Sequence, residues 1–184
     1  MVTTMELPWY RKWFSSRRKA DSLDMRVKAE QGDADAQFGL GLRYGAAQGV
    51  SQDFVQAAEW YRKAANQNHV LAQFNLGLMY AKGQGMPRDD AAALVWIRKA
   101  AEAGDAGAQF NMGTRYHRAS LDGLQMDAAE SKIEAFKWLH LAAAQGYRGS
   151  AAAFEMVTLT MSLQEVTEGN QRAATFAVGR PVLK

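Results

Sequence analysis

A chain of 184 residues, nearly half of them apolar, with three prolines and no cysteine, has the length of one domain and a globular, helix-leaning composition. Without cysteine there are no disulfides, no thiolate metal ligands and no cysteine nucleophile, and the composition suits a reducing compartment. The net charge of +3 is uneven: Arg11, Lys12, Arg17, Arg18 and Lys19 against Glu6 give residues 1–20 a net +4, leaving −1 for the rest, so the basic balance does not describe a nucleic-acid-binding body.

At the N-terminus, Glu6, Pro8, Arg11 and Lys12 interrupt any apolar run that could act as a signal sequence. The longest apolar stretch elsewhere, 91–97, is far short of a membrane span, and the expectation is a cytoplasmic protein. The stretch "LPWYRKWFSSRRKA" sets Trp9, Trp13 and Phe14 among cations. It is expected to dock as a cap over the first structural unit, ahead of two other readings, a membrane-surface helix and a partner-binding arm.

From Ala36 the chain repeats itself. "AQFGLGLRYGAAQGVSQD" begins there, "AQFNLGLMYAKGQGMPRD" begins at Ala72 and "AQFNMGTRYHRASLDGLQMD" at Ala108. Residues 36–66 and 72–102 share 16 of 31 positions. The second half recurs as "AAEWYRKAA" around Trp60, "ALVWIRKAA" around Trp96 and "AFKWLHLAA" around Trp138, the last after six additional residues. A decayed fourth copy begins at "GYRGSAAAFEMV".

Each unit reads as two helices. Ala72, Leu76, Gly77 and Tyr80 share a face of the first, and Ala93, Trp96 and Ala100 make the inward stripe of the second. Asp53 followed by Gln56 and Ser131 followed by Glu134 have capping-box spacing, and Asp89 occupies the same slot in the second unit. Gly83 and Gly85, in "AKGQGMPR", raise the question of a phosphate-binding loop. Such loops leave a strand and open a helix, whereas this one follows a helix, so it is expected to be a corner. From Ser162, a capping box with Glu165 opens a last helix with Val166, Gly169, Ala173, Phe176 and Ala177 along one side, suited to cover the end of the stack.

These residues resemble the Sel-one-like repeat family of the tetratricopeptide superfamily. The second unit carries its pattern at Ala72, Gln73, Phe74, Leu76, Gly77, Tyr80, Gly83, Gly85, Asp89, Ala93, Trp96, Ala100, Ala101 and Gly104. The third unit departs from it by an enlarged turn over 117–131 that lacks Gly-x-Gly. The resemblance implies an all-α, right-handed alpha-alpha superhelix, a solenoid of helix-turn-helix repeats with helical caps. The boundaries expected are a cap over 1–28, repeats over 29–64, 65–100 and 101–142, a degenerate repeat over 143–157, and a terminal helix and tail over 158–184. It further implies a non-catalytic adaptor or scaffold for protein–protein interaction.

Few residues suggest chemistry. His69 and His140 read as surface substitutions, and His117 stands at the entry of the enlarged turn, where Asp122 or Asp127 is within sequence reach. No two histidines have ligand spacing, and neither an enzyme, a metal nor a cofactor is expected. Trp60, Trp96 and Trp138 repeat in phase with the fold and read as core. The face of the first helix opposite Leu76 and Tyr80 carries an i, i+4, i+7 stripe: Gly39–Arg43–Ala46, Asn75–Met79–Lys82 and Asn111–Arg115–Arg118. Four of these nine positions are cationic and none is acidic. The candidate partner-binding residues are therefore Arg43, Asn75, Met79, Lys82, Asn111, Arg115 and Arg118 on the inner face, for an acidic or C-terminal peptide segment or another protein. Trp9, Trp13 and His117 are further candidate contacts. The alternative function is an immunity or inhibitor protein that neutralises one cognate toxin or enzyme through a large flat interface.

Overall fold

The computed structural model of the chain describes residues 24–122 and 127–178, and every regular element among them is a helix. They fall into two compact units, one ending at Arg88 and one beginning at Asp89. The first holds a helical segment over 24–30 (α1), α2 (Ala34–Gly45), α3 (Phe54–Asn66) and α4 (Val70–Lys82). The second holds α5 (Asp90–Ala103), α6 (Ala106–Asp122), α7 (Ala128–Ala144), α8 (Ser150–Thr158) and α9 (Leu163–Val178).

Helix starts follow the repeat. Asp53 accepts hydrogen bonds from the Val55 and Gln56 amides, Asp89 from those of Ala91 and Ala92, and Asp127 from that of Ala129, satisfying donors that have no partner inside the helix. The first helices are capped in the same way by Asp33 and Asp105, each through the amide three residues on, at 2.7 and 2.6 Å. His69 stands between them at the same repeat position. It is a cap, where a surface substitution was expected: its Nδ1 accepts from the Ala72 amide at 3.1 Å, its Nε2 lies 3.2 Å from Asp35 Oδ1, and its ring stacks on Phe38 at 4.5 Å. His140 also differs from that expectation, because its ring packs edge-on against Phe154 at 5.2 Å.

The glutamine of each "AQF" is buried and donates to the carbonyl eight residues earlier: Gln37 to Ala29, Gln73 to Ala65, Gln109 to Ala101, at 3.0, 3.3 and 3.2 Å. Each bond ties the start of a first helix to the end of the helix before it, and it satisfies an amide that would be costly to bury alone. Close helix contact comes from glycine on the same helices. A Cβ on Gly41 would lie 2.5 Å from the Tyr61 ring, and one on Gly113 would lie 2.6 Å from Leu139 Cγ.

The apolar core of the first unit joins Ala29, Ala36, Leu40 and Trp60, with Met25 and Tyr44 against it. α1 thus packs on α2 through Met25 and Ala29, while Asp24, Arg26, Val27 and Lys28 are exposed. The rest of the expected N-terminal cap, 1–23, lies outside the described residues. In the second unit Phe136, Leu139 and Val157 form the core with Phe110, Phe154 and Val166 around them. Trp60 and Trp138 are buried and Trp96 half-buried, as repeat packing requires.

The third repeat departs from expectation. An enlarged turn over 117–131 was expected, but α6 runs on through His117 to Asp122 and α7 starts at Ala128. At the position of Gly83 this repeat has Ala119, which continues a helix instead of ending it. Added residues therefore lengthen the helices: α6 and α7 have 17 residues each, against 13 in α4 and 14 in α5. The helix start moves with them, so Asp127 is the cap and Ser131 sits buried inside α7. Glu134, expected to complete a capping box, instead accepts from Lys137 and from Trp138 Nε1.

Candidate protein-interaction surface

The turn after α4 shapes the surface in the first unit. Gly83 takes a left-handed conformation (φ 66°) that ends the helix, and Gly85 takes a second (φ 73°). A Cβ on Gly85 would lie 2.1 Å from the Phe54 carbonyl oxygen, so only glycine lets the turn rest on the start of α3. Gln84 stands between these two glycines, and its backbone amide donates to the Met79 carbonyl. It borders a recess of about 180 Å³ walled by the end of α2, by α3 and by α4.

The recess has an apolar floor and a polar rim. Leu42, Phe54, Tyr61, Leu78 and Met79 supply the apolar surface, and Asn75, Lys82 and Gln84 the polar groups. Tyr61 is 6% exposed, and burial pushes its phenol up to about 12, so it remains neutral. Leu42 at the mouth is 38% exposed.

Three of the sequence-derived candidates, Asn75, Met79 and Lys82, thus line one recess. Met79 is corrected in one respect: it is 5% exposed and packs into the floor, whereas the helical stripe placed it on an open face. The stripe arithmetic reads one helix alone, and the closeness of α2 and α3 covers that position. Arg43, half-buried, lies in the last turn of α2. In the second unit, Asn111 is half-buried, and Arg115 and Arg118 are exposed on α6. His117 is half-buried, with an Nδ1 that has no hydrogen-bond partner among the described residues. Trp9 and Trp13 lie outside the described residues.

No group of three or more histidine or carboxylate side chains with metal-binding geometry occurs among the described residues, and no described helix is long and apolar enough to cross a membrane. Sequence reasoning did not find Leu42, Phe54, Tyr61, Leu78 and Gln84 as a group. The available signal was the pair of glycines around Gln84, which fix a side chain as well as a corner.

The sequence of these capped helix pairs matches the Sel1 repeat at residues 34–69, 70–105 and 106–147, a frame a few residues downstream of the one read from the sequence. The chain belongs to the Sel1 repeat family. A Sel1 repeat protein from Oxalobacter formigenes is 34% identical, with a TM-score of 0.63, over 73% of this chain and 97% of that one. A protective antigen of uropathogenic Escherichia coli displaying an SLR fold is 38% identical, with a TM-score of 0.64, over 86% of this chain and 33% of its own. No curated protein matches the chain. The fold class is therefore the all-α helical-repeat solenoid class, and Sel1 repeats are generally protein-interaction modules, typically without catalysis.

Proposed function

We propose that this Sel1 repeat protein is a non-catalytic adaptor that binds a partner protein through the variable faces of its first helices. In the first unit these faces present Arg43, Asn75 and Lys82, and in the second Asn111, Arg115 and Arg118. One observation carries the reading. The recurrent residues of the repeat are committed to packing or to internal hydrogen bonds, as with Gln73 to Ala65 and Arg62 to the Tyr80 hydroxyl at 3.2 Å. Of the nine positions in the stripe that varies from repeat to repeat, Arg43, Asn75, Lys82, Asn111, Arg115 and Arg118 are amides and cations at partly or fully exposed sites, and the others are Gly39, Ala46 and the buried Met79. Amides suit an extended peptide backbone, and cations suit carboxylates on an acidic or C-terminal segment.

The test is affinity capture from lysate of the source organism, comparing the wild-type protein with a variant carrying Arg43→Ala, Asn75→Ala, Asn111→Ala and Arg115→Ala. A partner retained by wild type and lost by the still-helical variant supports the reading. Equal capture by both refutes it.

A further inference from the structure

We infer that the recess between α2, α3 and α4 is a subsite for one large apolar side chain of an extended partner segment, with a neighbouring carboxylate of that segment held at Lys82. This inference rests on the proposal that the first-helix faces bind protein, and it specifies the chemistry of the partner there.

Size, floor and charge each restrict the occupant. A cavity of about 150 Å³ lined by aliphatic and aromatic side chains accepts benzene. The recess, at about 180 Å³, therefore takes a group the size of a Phe or Leu side chain and excludes a folded element. Its floor includes Met79, whose unbranched thioether adapts to differently shaped apolar groups. Of the residues lining it, only Lys82 carries a charge, and it is exposed at the rim. A carboxylate beside the inserted side chain is attracted there, and a cation is repelled. Asn75 and Gln84 flank the opening with amides that both donate and accept, as a peptide backbone requires. Gln84 is held at that rim by Gly85, whose contact with Phe54 leaves no space for a side chain.

The test is a titration of the full chain, followed by amide NMR, with the capped peptide acetyl-Gly-Phe-Glu-Gly-amide. Two further peptides replace its Phe by Ala or its Glu by Lys. A plugged variant, Gly45→Leu, controls for site: a Cβ at Gly45 meets only ordinary contacts, 3.8 Å from Ala57 Cβ and 3.8 Å from Tyr61 Oη, and the longer chain occupies the recess. The expected result is saturable shifts at Leu78, Met79 and Lys82, lost with the Ala peptide and with the Gly45→Leu variant. The Lys peptide should bind about fivefold more weakly, as expected for one exposed charge contact. Absent shifts, shifts that persist in Gly45→Leu, or equal affinity for the Glu and Lys peptides would overturn the inference. Shifts of the same residues on concentrating the protein alone would assign the recess to a second copy and overturn it equally. If the peptides fail while the captured partner still depends on the first-helix residues, only the subsite falls. If both fail, the proposed function falls with it.

Discussion

Arg172 of α9 forks onto Glu130 of α7, with Nη1 2.6 Å from Oε1 and Nη2 2.9 Å from Oε2. The same guanidinium reaches Glu134 at 3.1 Å and also donates to Glu168 on its own helix. Beside it the Phe176 ring meets Trp138 edge-on at 5.2 Å, and Lys137 sits 4.5 Å over the Trp138 ring. The last helix is thus fastened to α7 by a planar, bidentate charge contact beside an aromatic one.

Replacing Arg172 with Met should loosen this docking. Its hydrogen bonds hold the Glu130 carboxyl below the usual carboxylate range, and the same bonds raise the guanidinium. A depressed folded-state pKa means that the stabilisation is present above the free value, about 4.3 for Glu, and is lost as pH falls through the folded value. Urea unfolding of wild type and Arg172→Met should therefore differ at about pH 7 and converge towards about pH 3. A gap that stays constant would show that ionisation of Glu130 has no part in the difference.

His69→Ala removes the acceptor that caps α4 and the ring that stacks on Phe38. The expected loss is about 1 kcal/mol of stability, the usual worth of a cap. His69→Asn, which keeps a side-chain acceptor, should retain most of it. Denaturant midpoints of the three proteins at one pH decide the matter, and equal losses for both variants would locate the effect in the stack alone.

Gly85→Ala and Ala47→Gly should act in opposite directions. In the first, the new Cβ meets the Phe54 carbonyl at a backbone conformation unsuited to alanine, and more than about 1 kcal/mol should be lost. In the second, Ala47 already stands at φ 56° in the slot that Gly83 fills one repeat later. Relief of that strain, offset by a freer unfolded chain, should leave stability unchanged or raise it by up to about 1 kcal/mol. Thermal unfolding of both variants checks the pair, and a harmless Gly85→Ala would remove the reason given for glycine there.

Helix pairs, their phase and the terminal helix were legible because a 36-residue period repeats Leu76, Gly77 and Trp96 with their neighbours, and because Ser162 and Glu165 do cap each other. Position by position, propensity outweighed pattern in the third repeat. Ser131 has the spacing of a cap, but alanines and Glu130 let the helix begin one turn earlier at Asp127. The role of His69 was hidden because an imidazole nitrogen seldom does the work of a capping carboxylate. The recess was hidden for a different reason. Leu42, Tyr61 and Leu78 lie on three helices, and their meeting depends on how closely Gly41 lets α2 approach Tyr61.

The most direct test of the interaction surface places a photo-crosslinking amino acid singly at Lys82, Arg115, Lys63 or Lys99. The first two lie on first helices, and the last two are exposed on the second helices α3 and α5, over the Trp60 and Trp96 rings. The proposed function predicts that one partner is captured from positions 82 and 115 and not from 63 or 99. Crosslinks to that partner from 63 and 99 alone would contradict it and transfer the working surface to the second helices.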